Sequence, residues 1–234
     1  MNTRPLPPHL VRLITTAVLA ICPYIMPSAS AQCDPAWTAV IDLNTPPARS
    51  GNCIAFDTSR GVTVIHGGVD AGHYLSDTWE WDGISWTQPT PSASPPACFA
   101  AAASYDSARG VIVRFGGWNG QFLNGTWEWN GVNWIQRTPV TVPAARYAHA
   151  MVYDESRGVT VLFGGTGTGQ VGSETWEWNG SNWTKRTPTT VPPSRSMHTM
   201  AYDSLRGVTV LSGGVGASGY CVDTWEWNGI NWLK

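Results

Sequence analysis

Hydrophobic and polar residues alternate along a short segment that recurs four times in the chain. One copy, Glu174–Trp183, has the sequence ETWEWNGSNW, and similar segments begin at Asp77, Gly125 and Asp223. In the part TWEW, the two tryptophans share one face of an extended strand and the glutamate lies on the other. The Asn-Gly pair that follows is typical of a tight hairpin turn. Each segment therefore predicts two antiparallel strands.

Two further strands are predicted upstream in every copy. In the third copy these are the apolar run Tyr147–Tyr153 and a β-branched run ending at Gly164-Gly165, joined by the turn Asp154–Gly158. An Asp can cap such a turn through its side chain, and a Gly tolerates positive φ at its end. Equivalent tryptophans are 48 or 49 residues apart. A period near 50 residues containing four strands is typical of a β-propeller blade.

The order of these strands resembles the kelch motif, and most closely that of exported bacterial kelch proteins similar to the central domain of galactose oxidase. The matching residues are Arg146, His149, Gly164, Gly165, Trp178 and Trp183 in the third copy and Arg195, His198, Gly213, Gly214, Trp227 and Trp232 in the fourth. The resemblance covers nearly the whole chain from Gln32 onward. It implies an all-β, kelch-type β-propeller with four four-stranded blades, at approximately residues 48–91, 96–139, 145–188 and 194–234.

One predicted strand belongs to none of these blades. Trp37 precedes Arg49 by the same interval that separates Trp134 from Arg146, so residues 35–43 predict an extra outer strand. In kelch-like propellers such a strand usually completes the last blade, but the chain ends at Lys234 with no partner left for it. We therefore expect an incomplete or truncated ring whose open edges favour self-association. A four-bladed ring closed in an unusual way is the alternative.

The N-terminal segment, residues 1–31, has the pattern of a secretory signal peptide. Two arginines precede the apolar run Leu13–Ile21, and Ala29–Ala31 is a small-x-small cleavage site. The apolar run is too short to span a bilayer. Cleavage after Ala31 would leave residues 32–234 as a secreted or periplasmic chain. Lipid attachment at Cys22 is the alternative, disfavoured by the bulky isoleucine before it.

Charge and cysteine content limit the kinds of binding partner and covalent cross-link that the chain can have. Formal net charge is −2 and only 13% of residues are charged, so no nucleic-acid partner or acidic membrane surface is indicated. Four cysteines remain after the signal peptide: Cys33, Cys53, Cys98 and Cys221. An exported protein can form disulfides, but four cysteines allow three pairings, and the sequence does not choose between them.

Candidate binding residues lie where the copies differ. The variable loop after Gly-Gly and the proline-rich connection between blades emerge on the same side of an antiparallel blade. That side collects unique aromatic residues, and arginines lie at the adjacent strand starts; Trp118 is the one tryptophan outside the repeat pattern. Such groups suit stacking on sugar rings and pairing with carboxylates. The candidates are Trp118, Phe122, His73, Tyr74, Tyr220, Arg49, Arg146, Arg195 and Arg114.

Three breaks in the repeat stand out. Arg114 occupies the position of an aliphatic residue in the other copies, His66 that of a phenylalanine, and Cys98 that of the arginine found at Arg49 and Arg146. Functional sites tend to violate local rules, so these positions are of interest. The other interpretation is neutral sequence drift at these three positions, with neighbouring residues compensating for each change.

Recurrent charged residues indicate a scaffold. Every copy has the glutamate of TWEW and a turn arginine, and we expect these to pair within the blades: Glu80, Glu128, Glu177 and Glu226 with Arg60, Arg109, Arg157 and Arg206. His149 and His198 share one repeat position and are expected to pack or to form hydrogen bonds. We predict no catalytic residue, metal ligand or cofactor.

The expected function is an exported, non-catalytic module that binds a glycan or a protein through loops on one propeller face. The alternative is a carbohydrate-active enzyme of the galactose oxidase-like or sialic acid epimerase-like kelch type. No paired acids that converge on one glycosidic bond are identified in the sequence.

Overall fold

The computed structural model describes residues 44–234, which are built from β-strands, turns and loops. The one helical element in that range is a short 3-10 turn, Val171–Ser173. The predicted signal peptide and the extra strand predicted at residues 35–43 lie outside the described residues. The all-β expectation is confirmed.

The strands follow the predicted repeat closely. In the first half of the chain they are β1 (Cys53–Asp57), β2 (Val62–His66), β3 (Val69–Asp70), β4 (His73–Tyr74), β5 (Thr78–Trp81), β6 (Trp86–Thr87), β7 (Ala102–Asp106), β8 (Val111–Phe115), β9 (Thr126–Trp129) and β10 (Trp134–Arg137). In the second half they are β11 (Arg146–Tyr147), β12 (Ala150–Asp154), β13 (Val159–Phe163), β14 (Thr166–Gly167), β15 (Thr175–Trp178), β16 (Trp183–Arg186), β17 (Arg195–Ser196), β18 (Thr199–Asp203), β19 (Val208–Ser212), β20 (Val215–Gly216), β21 (Gly219–Tyr220), β22 (Thr224–Trp227) and β23 (Trp232–Leu233).

Four antiparallel sheets of four strands each form the body of the fold. Their strand orders are β1-β2-β5-β6, β7-β8-β9-β10, β12-β13-β15-β16 and β18-β19-β22-β23. We call them the first to fourth sheets. Three smaller sheets, β3-β4, β11-β14 and β17-β20-β21, involve the loops that follow the Gly-Gly pairs. In the last two, the loop strands pair with β11 and β17, which lie in the connections that precede β12 and β18.

The first strands of successive sheets lie side by side: β1 contacts β7, β7 contacts β12, and β12 contacts β18. The core fills the spaces between neighbouring sheets. Between the second and third, for example, Val113 and Phe115 pack against Leu162, Trp178 and Trp183. An array of four-stranded antiparallel sheets packed in this way is compatible with a β-propeller.

Hydrogen bonds between sheets repeat with the same geometry. We call the Thr and Glu of TWEW the Thr–Glu edge of each sheet, and in the first three sheets this edge faces the following sheet. Two indole Nε1 groups of the following sheet donate to it. The bonds to Thr are Trp134–Thr78, Trp183–Thr126 and Trp232–Thr175, each 2.9 Å. Those to Glu are Trp129–Glu80 at 2.9 Å, and Trp178–Glu128 and Trp227–Glu177 at 3.0 Å.

The predicted Glu–Arg pairing is confirmed in all four sheets. Arg60 lies 2.8 Å from Glu80, Arg109 lies 2.6 Å from Glu128, Arg206 lies 2.5 Å from Glu226, and Arg157 pairs with Glu177. Arg60, Arg109 and Arg157 also reach the Asn-Gly turn of the next sheet. Gly180 in the Asn-Gly turn has φ +93°, and a Cβ there would lie 2.8 Å from Arg109 Nε. Glycine therefore serves both the turn and the close approach of the guanidinium.

The two end sheets each leave one face open within the described part of the chain. On the first sheet Ile54 and Phe56 are 59% and 52% exposed, whereas Met151 and Tyr153 at the same repeat positions are buried. On the fourth sheet Thr224 is exposed and Glu226 is half-buried. The Thr–Glu edge of the fourth sheet thus has the same two acceptor residues as the other three sheets, but no indole of the described residues donates to it.

Candidate functional site

Three of the candidate arginines lie in the interior. Arg146 has no exposed surface, and it donates to the carbonyl of Gly164 at 3.1 Å and to Glu174 at 2.6 Å. Arg49 and Arg195 make the same contacts through two nitrogens each, to Asp77 and Asp223 respectively. Their side chains thus link the connection between sheets, by hydrogen bonds, to the Gly-Gly pair and to the acid just before the strand TWEW. We therefore leave these arginines out of the candidate site.

The acid in each of these pairs also accepts from a tryptophan. Trp79 Nε1 donates to Asp77 at 2.7 Å, Trp176 to Glu174 at 3.1 Å, and Trp225 to Asp223 at 2.8 Å. Burial opposes ionisation of Glu174, but hydrogen bonds from Lys185 and Arg146 outweigh it and lower the pKa of its carboxyl. Arginine, acid and tryptophan form one unit that recurs in the first, third and fourth sheets.

The second sheet lacks both the arginine and the acid of this unit. Cys98 stands at the arginine position and Gly125 at the acid position. A different arginine takes part: Arg114, on β8, is only 1% exposed and donates from Nη2 to Cys98 Sγ at 2.6 Å. The Nε of Arg114 has no hydrogen-bond partner among the described residues. Within residues 44–234 no carboxylate forms a salt bridge with Arg114.

A cavity of about 220 Å³ lies beside Gly125. Its lining includes Arg114, Gly116, Phe122, Gly125, Trp127 and Gln136. In the other three sheets a carboxylate extends from the position of Gly125. Trp127, unlike its counterparts, donates no hydrogen bond from Nε1 to any described residue. The second sheet therefore presents a guanidinium and an indole next to an unfilled space.

An aromatic cluster adjoins this cavity. Trp118 packs edge-on against Phe122 with ring centroids 4.7 Å apart, and both rings lie 5.9 Å from the ring of Tyr147. Phe99 completes the cluster at 6.3 Å from Tyr147. All four side chains are half-buried, so each presents part of its ring to solvent. Because Phe122 also lines the cavity, the aromatic cluster and the cavity form one continuous surface, which we take as the candidate site.

The remaining candidates lie on other sheets. His73 and Tyr74 form the exposed strand β4, which belongs to the loop of the first sheet. Tyr220 is 90% exposed on β21 and lines a cleft of about 340 Å³ together with Arg195 and Lys234. Of the nine residues proposed from the sequence, the structure brings Trp118, Phe122 and Arg114 together at the candidate site, and Tyr220 and Arg195 together at the cleft of the fourth sheet.

Sequence reasoning missed Gly125, Trp127 and Gln136. The signal for Gly125 was present, because the segment GTWEW begins with glycine where the other copies begin with Asp77, Glu174 and Asp223. Trp127 occupies its ordinary repeat position, so only the loss of its usual acceptor distinguishes it.

The buried histidines are packing groups. His149 and His198 place their rings edge-on to Phe115 and Phe163, with centroid distances of 5.7 and 5.5 Å. None of their four ring nitrogens has a hydrogen-bond partner in residues 44–234. Burial, reinforced by Arg195, lowers the pKa of His198 to about 4. Of the two expected roles, packing is the one that the structure shows.

The cysteines Cys53, Cys98 and Cys221 are free thiols, and burial raises the pKa of Cys53 to about 11. Among the described residues no three His, Cys, Asp or Glu side chains come together in a group that could hold a metal ion. No helix in the same range is long and apolar enough to cross a membrane.

No protein-family model matches the sequence, and none of the curated proteins matches it significantly.

Proposed function

We propose that this chain is an exported kelch-type β-propeller that acts as a non-catalytic binding module, with its binding surface at the loop end of the second sheet. The observation that carries this proposal is the aromatic cluster of Phe99, Trp118, Phe122 and Tyr147. These rings lie on loops and at strand ends and remain partly exposed. Elsewhere most recurrent tryptophans and arginines bind the recurrent acids and threonines of the sheets, as Trp178 and Arg109 bind Glu128. The aromatic cluster is a feature that this repeating scaffold does not require.

A glycan is the ligand class that the cluster suits best. Flat aromatic rings present broad apolar faces at low conformational cost, and sugar rings offer matching faces of C–H groups. The stacked pair Phe122–Tyr147, with an interplanar angle of 29°, provides two nearly parallel rings. Export past the cell membrane, expected from the signal-peptide pattern, would place the module where extracellular glycans occur.

Trp118→Ala is expected to weaken glycan binding by about 1–3 kcal/mol, as for an aromatic anchor at an interface. The ring is already partly exposed, so the melting temperature should change little. A glycan array with the purified protein would identify a ligand, and calorimetric titration with that ligand would give the affinities of parent and variant.

Tyr220→Ala is the matched control, because Tyr220 is an exposed aromatic residue on another sheet. Its affinity should equal that of the parent. Full affinity in Trp118→Ala, or equal losses in both variants, would remove the aromatic cluster from the binding site. If Trp118→Ala unfolds, Trp118→Phe provides the test, since it keeps a ring in the cluster but reduces the stacking area.

We also propose that the open faces of the first and fourth sheets bind each other in two copies of the chain. The contacts between the inner sheets provide the template. Thr224 and Glu226 are the acceptors that such a contact needs, and Trp81 stands at the position of the indole that donates to Glu. A Cβ built at Gly83 would have no atom of the described structure within 4 Å. At the equivalent glycines of the later sheets, an arginine of the preceding sheet occupies this space. Arg206, 53% exposed, is the arginine available to fill it.

Light scattering over a range of concentrations should therefore show dimers or larger species. Glu226→Arg blocks the face of the fourth sheet, and Phe56→Asp blocks that of the first, so each variant alone should be monomeric. A mixture of the two retains one intact face of each kind and should form a heterodimer. A monomeric parent protein, or variants that stay monomeric when mixed, would contradict head-to-tail association.

A further inference from the structure

The second sheet departs from the other three at one three-membered unit. Elsewhere an arginine, an acid and a tryptophan are joined, as in Arg146–Glu174–Trp176. In the second sheet the basic group and the indole are present as Arg114 and Trp127, but glycine replaces the acid. Gly125, Arg114 and Trp127 all line the cavity described above.

Arg114 lacks the partner that a buried guanidinium requires. A buried charge is costly unless it is paired and hydrogen-bonded. The one hydrogen bond of its side chain within the described residues goes to Cys98 Sγ, and a thiol sulfur is only a weak acceptor. The Nε remains without a partner. The planar fork of arginine matches a carboxylate better than any other common group.

We infer that the cavity beside Gly125 binds the carboxylate of an acidic sugar, which takes the place of the missing side-chain acid between Arg114 and Trp127. This inference rests on the proposed function, because it assigns a ligand class to the same surface. A cavity of about 220 Å³ is smaller than the sites of drug-sized ligands, so it suits a single sugar residue. Phe122 provides an apolar wall, and the amide of Gln136 is a hydrogen-bonding group for hydroxyls.

The placement of Phe122 links this cavity to the rest of the site. The ring of Phe122 lines the cavity, packs edge-on against Trp118 and stacks on Tyr147. A glycan could therefore place its acidic residue against Arg114 while the adjoining residues contact the aromatic cluster. The cavity would then recognise the carboxylate of the ligand, and the aromatic cluster would contact the apolar faces of its sugar rings.

Arg114→Leu tests the inference with little risk to folding, because leucine stands at this repeat position in Leu162 and Leu211, both fully buried. Titration with glucuronate, with glucose as the neutral probe, should show a preference of the parent for glucuronate. Arg114→Leu should weaken glucuronate binding by at least about tenfold, the scale of a hydrogen bond to a charged group. Its affinity for neutral glycans, which contact Trp118, should fall much less than its affinity for glucuronate.

Gly125→Asp is the complementary variant, since it restores the acid found at Asp77 and Asp223. A Cβ at Gly125 would lie 2.9 Å from Trp127 Nε1, so the indole must shift by a few tenths of an ångström. The new carboxylate should then pair with Arg114 and Trp127, raise the melting temperature and abolish glucuronate binding.

Three results would overturn the inference: equal affinity of the parent for glucuronate and glucose, undiminished glucuronate binding in Arg114→Leu, or binding of an N-acetylated dipeptide carboxylate without binding of glucuronate. The proposed function is tested separately. If Trp118→Ala loses neutral-glycan binding while Arg114→Leu changes nothing, the binding module stands and the acidic-sugar site fails. If neither variant affects any glycan, both fail.

Discussion

Glu128→Ala is expected to lower the free energy of unfolding by about 3 kcal/mol, the lower end of the range for breaking a buried ion pair. Glu128 has no exposed surface and joins three donors. Arg109 and Arg137 donate to it at 2.6 and 2.7 Å, and Trp178 Nε1 of the third sheet donates at 3.0 Å. Alanine would leave the indole without an acceptor at the centre of an interface. The two arginines are 30% and 40% exposed and can regain water, which places the loss at the lower end.

Glu226→Ala is the matched control, because it removes the same residue from the same repeat position of the fourth sheet. Glu226 is 34% exposed, and no indole donates to it in the described structure. Its pair with Arg206 is a surface ion pair, so the expected loss is below about 1 kcal/mol. Urea denaturation of both variants at one low protein concentration would measure the difference. Similar losses would show that the contact with the next sheet contributes little.

Stability is expected to fall as the pH is lowered from about 6.5 to about 4. Burial lowers the pKa of His66, His149 and His198 in the folded protein, that of His198 to about 4. An unfolded histidine titrates near 6.5, so within this window the unfolded state binds more protons. Protons therefore favour unfolding, and the stabilisation is complete only above the unfolded pKa. For His198 alone the loss approaches about 3 kcal/mol.

The carboxylates act in a lower window. Burial opposes ionisation of Asp57, but hydrogen bonds from Arg60 and Ser59 outweigh it and lower the pKa of this carboxyl to about 2. The stability that Asp57 contributes is present above an unfolded pKa near 4 and is lost as the pH falls towards 2. The range between about 4 and 6.5 therefore reports mainly on the histidines.

His198→Phe provides the test. Urea denaturation at several pH values in the upper window should give a slope of unfolding free energy against pH that is smaller than that of the parent by the titration of one proton. The slope is the relevant quantity, because any effect of the extra ring volume on stability is the same at all pH values. An unchanged slope would show that His198 is protonated in the folded protein as readily as in the unfolded one.

Much of the scaffold could be predicted because its signals are local. The alternation in TWEW, the Asn-Gly turns and the Gly-Gly pairs each depend on residues adjacent in the chain, and β5, β9, β15 and β22 appear where the pattern places them. The Glu–Arg pairs were also foreseen, since both partners recur in every copy. The recurrence of a residue in every copy therefore predicts contacts that the local conformational preferences of the chain alone do not.

The roles of Arg49, Arg146 and Arg195 were harder to predict. Their position at the start of strands suggested a surface, but each side chain turns inward to an acid 28 residues later. That constant separation was present in the sequence. It becomes meaningful only once the fold shows that the two positions meet.

The candidate site could be predicted only in part, for a related reason. Trp118 and Arg114 stood out as breaks in the repeat, and the structure brings them to neighbouring parts of one surface through Phe122. The meaning of Gly125 depends on a missing contact, and a contact is a property of three-dimensional neighbours. No pattern along the chain shows that Arg114 replaces the arginine lost at Cys98.

The repeating bonds between sheets also bear on how the chain acquires its structure. Each four-stranded sheet is built from one continuous stretch of the chain, as in Cys53–Thr87. The indoles of one sheet then bind the Thr–Glu edge of the sheet made just before it. Structures with nearest-neighbour contacts of this kind fold in steps that spread from one unit to the next. When the N-terminal part of the chain becomes available first, it can thus complete one sheet on its own. The Thr–Glu edge of that sheet is then ready to bind the indoles of the next sheet before the C-terminal part of the chain is available.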